Sequence, residues 1–307
     1  MNLRDLRYIV ALADYGHFGK AAEACHASQP TLSGQILKLE DELGVAIFER
    51  SGRSVRPTAA GAEILAHARR AIAAADEITT VAKASRDPLA GPLQLGIIPT
   101  LCPYLMPFVF PRVAKDLPSM PLVLHEDLTE RLVEAVSAGQ IDAALIASEP
   151  MSQTLTSEIL FDEAFFLALP ADHRLAKKKK TIATTDIDPQ TLLLLTDGHC
   201  LRDQALSLCG APDLASSVSA DMRAASLETL MQMAAAGYGM TLLPTLALAQ
   251  ERPLPKTLVI RKLKDPAMKR QIRMISRAKY PRGKALQVLG RVVKESVAEV
   301  LAEQHSD

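Results

Sequence analysis

The chain has no Trp, few aromatic residues and no net charge. Aromatic residues make up 4% of its 307 residues, and 35 Lys and Arg balance 35 Asp and Glu. Overall charge therefore gives no indication of a nucleic-acid, membrane or acidic partner. With 48% hydrophobic residues, the chain is still long and apolar enough to form two or three domains with their own cores.

Long apolar runs are also missing. No stretch approaches the roughly 18 apolar residues that a membrane-spanning helix needs. The first residues, MNLRDLRYIVALADYG, are interrupted by Arg7 and Asp14, which does not fit a secretory signal peptide. We therefore expect a soluble, cytoplasmic protein without a membrane partner.

The usual motifs of cofactor and metal chemistry are absent from the sequence. It contains no GxGxxG, P-loop, GxSxG or HExxH, which argues against a nucleotide enzyme or a hydrolase. There is no CxxC among the four cysteines and no Cys/His cluster, so we expect neither a metal site nor a cofactor. In a reducing compartment, a bonded cysteine pair would indicate redox chemistry rather than a structural crosslink.

The first 57 residues have the pattern of a helix-turn-helix. Apolar spacing predicts a helix over Leu3 to Asp14, a short one over Lys20 to Cys25, and a third that Ser28 caps and that runs to Gly44. Polar side chains near the start of the third helix are of types that contact bases and phosphates in a major groove. The candidate DNA contacts are Ser28, Gln29, Pro30, Thr31, Ser33, Gln35 and Lys38.

A short hairpin should follow this third helix. The segment from Glu49 to Ser54 carries Arg50 and Arg53, and such a wing places arginine against phosphate or in a minor groove. Residues 1 to 57 contain seven basic and seven acidic residues, so local placement has to provide the attraction for DNA. The alternative is a small helical domain with no role in DNA binding.

A long helix should connect this domain to the rest of the chain. It can begin at Thr58 and shows no helix breaker until about Arg86, which corresponds to roughly 42 Å of helix. Small and apolar residues recur along it at alternating steps of three and four. They are Leu65, Ala68, Ile72, Ala75, Thr79 and Ala82, with Ile64, Ala71 and Ile78 beside them. Because one helix cannot bury this stripe alone, we expect a homodimer through the linker helix.

Strands alternate with helices from residue 88 onwards, which predicts α/β sheets with ligands at the carboxyl ends of the strands. The predicted strands are Leu93–Ile98, Leu122–His125, Ile141–Ala147, Phe165–Leu169, Leu192–Leu195, Ser217–Ala220, Met240–Leu243, Leu258–Arg261 and Gln271–Ile275. The predicted helices are at about Tyr104–Lys115, Leu128–Ala138, Ser226–Ala236 and Gly283–Glu303.

The segment from Leu192 to Gly210 carries the most distinctive chemistry. A strand, a turn and a helix start place Cys200 at a helix N-terminus, which favours the thiolate; Arg202 and a protonated His199 should act the same way. Nine helical residues separate Cys200 from Cys209 by roughly 13 Å, whereas a disulfide needs about 4.4 to 6.8 Å between Cα atoms. Oxidation to a disulfide would therefore unfold the helix. Alternatively, both cysteines are small buried hydrophobic residues.

The N-terminal pattern resembles the LysR-type transcriptional regulators. The resemblance lies in AAEACHASQPTLSGQILKLEDELGVAIFER, RSVRPTAAG and the long helix. It implies a winged helix-turn-helix over 1–57, a linker helix over 58–87, and a periplasmic-binding-protein-like domain over 88–307. That domain would consist of two α/β subdomains, about 88–164 with 269–307, and about 165–268. Double-stranded DNA, a homotetramer and RNA polymerase are the partners that the family implies.

Within this family, IIPTLCPYLMP, DGHCLRDQ and RAASLETLMQMAAAGYGMTLLP are similar to the members that sense hydrogen peroxide. The resemblance implies a peroxidatic Cys200 and a resolving Cys209. The implied peroxide pocket consists of Thr100, Thr129, His199, Arg202, Asp203 and Arg270. As alternatives, Thr100 caps the next helix and Arg270 lies on the surface. Cys102 has no counterpart in the family's site and is interpreted as a bystander, and Cys25 as a core residue.

Two other functions fit part of the pattern. The chain could be a LysR-type regulator that binds a small metabolite between its α/β subdomains, with inert cysteines. It could also be a thiol peroxidase, although the complete winged domain argues against this.

Overall fold

The computed structural model describes residues 1–51, 54–84, 87–152, 154–177, 181–210, 223–249, 253–264 and 268–306. The chain divides into two compact units, one mainly of residues Met1–Asp87 and the other mainly of residues from Pro88 onwards. No helix in the described ranges combines the length and the apolar character needed to cross a membrane. The predicted strand Ser217–Ala220 and the wing residue Arg53 lie outside the described residues.

Three short helices form the core of the first unit, namely α1 (Leu3–Tyr15), α2 (Phe18–Ala24) and α3 (Gln29–Leu43). α2 begins two residues earlier than predicted because the His17 side chain accepts a hydrogen bond from the Gly19 N–H at 3.0 Å and caps the helix. Ser28 caps α3 as predicted and accepts a bond from the Thr31 N–H at 3.3 Å. Leu6, Ile9, Leu12, Leu32, Ile36 and Leu39 fill the space between the helices.

A hairpin and the long helix complete this unit. β1 (Phe48–Ser51) pairs antiparallel with β2 (Ser54–Pro57), as the wing prediction requires. α4 (Ala59–Ala84) follows directly, because the Thr58 hydroxyl accepts a bond from the Gly61 N–H at 2.9 Å and donates one to the Ala46 carbonyl at 2.8 Å. Leu65 and Ala68 of α4 are buried within the unit, whereas Ile78 is 72% exposed.

The second unit alternates strands with helices. Its first part contains β3 (Leu93–Ile97), α5 (Cys102–Asp116), β4 (Leu122–Glu126), α6 (Thr129–Ser137), β5 (Ala143–Ile146) and β6 (Leu155–Pro170). Its second part contains β7 (Leu194–Leu195), α7 (Cys200–Leu208), β8 (Arg223–Ala224), α8 (Leu227–Ala235), β9 (Thr241–Pro244), α9 (Thr245–Leu248), β10 (Leu258–Lys262), β11 (Lys269–Arg277) and α10 (Gly283–Ser306).

The long strand β6 joins the two parts of this unit. The main sheet has the order β10-β6-β11-β5-β3-β4, and β9 also pairs with β6. β6 pairs with β11 up to Ala164 and with β9 and β10 from Phe165 onwards. The sequence predicts a strand only over Phe165–Leu169, because the residues before it are partly polar. Tertiary pairing with β11 extends the strand backwards to Leu155.

Gly96, in the middle of β3, leaves room for its neighbours. A Cβ atom there would lie 2.7 Å from Ile141 Cδ1 and 2.7 Å from Leu132 Cδ2. We expect Gly96→Ala to lower the free energy of unfolding by about 1 to 3 kcal/mol through overpacking. Urea unfolding followed by circular dichroism measures this change.

Gly283, the first residue of α10, is the matched control because no atom lies within 4 Å of a Cβ placed there. Gly283→Ala should leave stability unchanged or raise it by up to about 1 kcal/mol. Unchanged unfolding of Gly96→Ala would contradict the tight packing at β3.

Candidate functional site

The site lies where several strands end. Thr100 follows β3, Thr129 follows β4, and His199 and Cys200 follow β7. Because β3 and β4 are parallel, their carboxyl ends meet at one edge of the sheet, where α/β proteins bind ligands. The narrow recess formed there is lined by Ile98, Pro99, Thr100, Leu128, Thr129, Gly198, His199 and Cys200.

Cys200 is the first residue of α7, as predicted from the turn before it. Gly198 has φ 90, which an L side chain rarely adopts, and a Cβ there would lie 2.8 Å from Leu128 Cδ1. Only glycine therefore lets the chain turn against Leu128 and direct Cys200 into the recess. The Leu201 N–H at the helix start favours the thiolate of Cys200.

Arg270 provides the buried positive charge of the site. Its register partner on β6 is Glu163, and both side chains are 0% exposed. Arg270 donates from Nε to Glu163 Oε2 at 2.9 Å, from Nη1 to Thr100 Oγ1 at 3.1 Å and from Nη2 to the Thr100 carbonyl at 3.1 Å. Arg270 is therefore not a surface residue. Nor does Thr100 cap α5, whose N-cap residue Leu101 makes no side-chain cap.

The surroundings of Cys200 have opposing effects on its thiol. Burial raises the pKa of Cys200 above the ordinary value, while the charge of Arg270 and the Thr129 hydroxyl lower it. The sequence predicts that Arg202 and a protonated His199 provide the activating charge. Instead, burial lowers the pKa of His199, and Arg202 pairs with Asp197. Arg270 is thus the cation that favours the thiolate.

Thr129 presents a hydroxyl to the thiol. Its Oγ1 atom is buried and has no hydrogen-bond partner of ordinary geometry among the described residues. Buried hydroxyls rarely stay unpaired, so this one is available to donate to a Cys200 thiolate or to a bound molecule.

A larger cleft leads to the same sulfur atom. Its volume is about 670 Å³, and Cys200, Thr129, Asp203 and Gln204 are among the residues that line it. Gln204 is held in place by donating to the Ala147 carbonyl at 2.8 Å. Asp203 is exposed in the cleft, and its charge raises the pKa of Cys200 slightly against the effect of Arg270. A small solute can reach Cys200 through this cleft.

The other three cysteines have different surroundings. All four are free thiols, and Cys209 is the C-cap of α7, at the opposite end of the helix from Cys200. Burial raises the pKa of Cys209 to about 11. Burial and a hydrogen bond to Glu126 raise the pKa of Cys102 to about 12, and burial also raises that of Cys25. Cys102 therefore stays protonated at neutral pH.

Glu163 was missed by the sequence analysis. A carboxylate in the apolar run FDEAFFLALP is the signal that could have found it, because a charge inside a buried strand requires a partner. Its second oxygen, Oε1, accepts a hydrogen bond from the Leu246 N–H at 2.7 Å at the start of α9. Among the described residues, no group of three His, Cys, Asp or Glu could hold a metal ion.

Most of the candidate DNA contacts at α3 are exposed. Ser28, Gln29, Pro30, Thr31 and Lys38 are exposed, whereas Ser33 and Gln35 are partly buried. The apolar side of α3 packs into the core of the first unit. The backbone of Arg50 lies in β1, but its side chain is outside the described part of the structure.

Comparisons with known proteins match both units. Residues 3–62 match the bacterial regulatory helix-turn-helix protein, lysR family, and residues 86–298 match the LysR substrate binding domain. The chain therefore belongs to the LysR family of bacterial regulatory proteins, as the sequence patterns predicted.

Within this family, the similarity is to proteins named for hydrogen peroxide. The chain is 44% identical over 255 residues to the hydrogen peroxide-inducible genes activator of Dickeya chrysanthemi, covering 82% of both chains. It is 43% identical over 255 residues to the DNA-binding transcriptional dual regulator OxyR of Escherichia coli K12, again with 82% coverage of both.

Solved OxyR structures have the same fold. A full-length OxyR variant from Pseudomonas aeruginosa matches with a TM-score of 0.76 and 39% identity, covering 96% of this chain and 98% of that one. A peroxide-bound OxyR mutant from Corynebacterium glutamicum matches with a TM-score of 0.66 and 34% identity, covering 98% and 94%.

The effect of the Thr129 hydroxyl on the pKa of Cys200 can be tested by replacing Thr129 with the isosteric residue valine. A hydrogen bond to a charged group contributes about 1.5 to 3 kcal/mol. We therefore expect Thr129→Val to raise the pKa of Cys200 further and to slow its alkylation at a fixed pH about tenfold or more. The pH dependence of Cys200 alkylation by iodoacetamide, followed by mass spectrometry, measures this shift, since only the thiolate reacts.

Thr156→Val is the control. Thr156 lies on β6, and its hydroxyl donates to the Ser276 carbonyl at 3.2 Å and lies 3.0 Å from the Ser276 hydroxyl. This variant should leave the alkylation profile unchanged. An unchanged profile for Thr129→Val would remove Thr129 from the thiol site.

Proposed function

We propose that this chain is a DNA-binding transcriptional regulator that senses hydrogen peroxide through a reversible Cys200–Cys209 disulfide. The observation that carries the proposal is the recess around Cys200, where Thr100 and Thr129 lie beside the thiol and the charge of Arg270 favours its thiolate. The name of the Dickeya chrysanthemi relative and the peroxide-bound Corynebacterium glutamicum structure support the same effector. The chain would act as a switch that reacts once per signal, not as an enzyme.

The first step oxidises Cys200. Peroxide reaches the recess through the 670 Å³ cleft, and the hydroxyls of Thr100 and Thr129 hydrogen-bond its oxygens. The Cys200 thiolate attacks one oxygen, the O–O bond breaks, and hydroxide leaves with stabilisation from Arg270. Burial keeps the pKa of Cys200 high, so the thiolate is scarce but intrinsically more nucleophilic. The product is a sulfenic acid on Cys200.

The second step requires a change of structure. The Cys209 sulfur attacks the sulfenic sulfur, water leaves, and the two thiols have given two electrons to peroxide. Nine residues of helix hold the two Cα atoms roughly 13 Å apart, whereas a disulfide needs about 4.4 to 6.8 Å. α7 must therefore unwind, so that oxidation refolds the segment that carries both cysteines.

The refolding would alter how subunits pack and how the DNA-binding units contact a two-fold symmetric site. We propose three working parts, residues 1–57 for DNA, 58–87 for dimerisation and 88–307 for redox sensing. The last contains subdomains of about 88–164 with 269–307 and about 165–268. A homotetramer, contact with RNA polymerase and a location in the reducing cytoplasm complete this proposal.

A second candidate function, regulation by a bound small metabolite, rests on a different cleft. About 420 Å³ in volume, it is lined by Thr100, Tyr104, Glu126, His199 and Ser226 among others, and it suits a small polar metabolite. In this alternative the cysteines are inert. A peroxide response that persists in Cys200→Ser would favour it.

Cysteine variants test the switch. We expect peroxide at near-stoichiometric amounts to join Cys200 and Cys209, as seen by mass spectrometry of crosslinked peptides. Cys200→Ser should abolish the change in DNA binding, and Cys209→Ser should stop the reaction at the sulfenic acid. Cys102→Ser is the control and should retain the bridge. Free Cys200 and Cys209 after treatment, or oxidation of Cys102 instead, would show that this mechanism is wrong.

The dimer through α4 can be tested with two matched alanines. Ala71 lies beside the apolar stripe and Ala66 lies on the opposite side of the helix, and both are exposed in the single chain. We expect Ala71→Asp to weaken the dimer about tenfold or more, because two like charges would face each other. Analytical ultracentrifugation measures the dissociation constant. Ala66→Asp should leave it unchanged, and equal effects of the two variants would place the interface elsewhere.

A further inference from the structure

Glu163 is a fully buried carboxylate that takes no part in the peroxide chemistry described above. Its Oε2 atom accepts hydrogen bonds from Arg270 Nε at 2.9 Å and Nη2 at 2.8 Å, and its Oε1 atom accepts one from the Leu246 N–H at 2.7 Å. Both side chains of the pair are 0% exposed. Burying two charges is costly, and hydrophobic residues of the same volume often stabilise a fold equally well. Stability alone therefore does not explain this pair.

The geometry restricts where the Arg270 guanidinium can lie. A long arginine side chain loses much rotational freedom when its planar group is held on several sides. Here Glu163 holds the Nε side, while Nη1 donates to Thr100 Oγ1 and Nη2 to the Thr100 carbonyl, each at 3.1 Å. Because Glu163 is the register partner of Arg270 across β6 and β11, the two strands fix the position of the pair.

We propose that Glu163 is the positioning residue of the thiol site, holding the Arg270 guanidinium against Thr100 while limiting the positive charge that reaches Cys200. Glu163 acts through Arg270 and does not contact the peroxide itself. This inference rests on the proposed function for its biological meaning, but its electrostatic part concerns the Cys200 thiol alone.

The charges around Cys200 determine the direction of the expected effect. Arg270 favours the thiolate, Asp203 opposes it, and the neighbouring His199 is shifted towards its neutral form by burial. With Glu163 ionised, the Arg270 charge is partly compensated within the same buried pair. Replacing Glu163 by a neutral side chain leaves the Arg270 charge uncompensated, so the thiolate becomes more favourable and the pKa of Cys200 falls.

Without Glu163, the Arg270 guanidinium should also be held less firmly in its position against Thr100. A displacement of a catalytic group by about 1 Å can slow a reaction about a hundredfold. Alkylation by iodoacetamide needs only the thiolate, whereas peroxide also needs a correctly placed cation for its leaving hydroxide. The two reagents therefore separate the acidity of Cys200 from the positioning of Arg270.

The experiment compares Glu163→Gln with the unchanged full-length chain. We expect the alkylation profile of Cys200 to shift to lower pH, and the ratio of peroxide rate to iodoacetamide rate to fall about ten- to a hundredfold. Asp162→Asn is the matched control, since Asp162 immediately precedes Glu163 in β6 and pairs with Lys269 on the more exposed side. It should change neither quantity.

Glu163→Gln alone should lose stability, because Arg270 then stays buried without its carboxylate. A double variant keeps the test valid if this loss prevents folding. Glu163→Gln with Arg270→Gln replaces the charged pair by two amides that can bond to each other. This variant should shift the alkylation profile to higher pH, opposite to the single variant, because the cation is gone. Unchanged profiles, or shifts in the same direction, would overturn the assignment of Glu163.

The sensing proposal and the Glu163 proposal can fail independently of each other. If Cys200 of the unchanged protein does not react with peroxide, the sensing proposal is wrong. The two alkylation profiles still decide whether Glu163 controls the charge that Arg270 presents to the thiol.

Discussion

The buried ion pair between Arg270 and Glu163 is the interaction on which the rest of the site depends. Two charges that are 0% exposed persist in a protein only when each is paired and hydrogen-bonded. To satisfy the guanidinium, the fold brings together β6, β11 and the turn after β3 that carries Thr100. The carboxylate in turn accepts from the start of α9. The same contacts that satisfy these charges place a cation beside Cys200.

In the proposed switch, the position of Cys200 would couple its oxidation to a change of conformation. Its sulfur lies at the first residue of α7 and that of Cys209 at the C-cap. As long as the helix is intact, the two sulfurs are too far apart to bond, because helix rise sets their separation. Forming a disulfide therefore costs the helix its hydrogen bonds, and this cost links a local redox event to a larger rearrangement. A pair placed closer together would form a bond without changing the fold.

The candidate DNA contacts and the thiol site lie in different units of the chain. In the first unit, α3 turns its apolar side into the core and leaves Thr31 and Lys38 exposed. α4 continues with small and apolar residues, of which Ile78 is 72% exposed in the single chain. Such exposure on a regular helix is typical of a surface that another chain covers.

Local signals in the sequence determined four features: the helix-turn-helix, the long helix, the alternation of strands and helices, and the place of Cys200 at a helix start. These features are readable because caps, periodicity and turn residues act over a few neighbouring positions. Glu163, the first half of β6 and the direction of the thiol pKa were decided only by the tertiary structure. Arg270 lies 107 residues from Glu163 in the chain. Pairing at that distance, and the desolvation of Cys200 that opposes its ionisation, arise from packing, which no local pattern encodes.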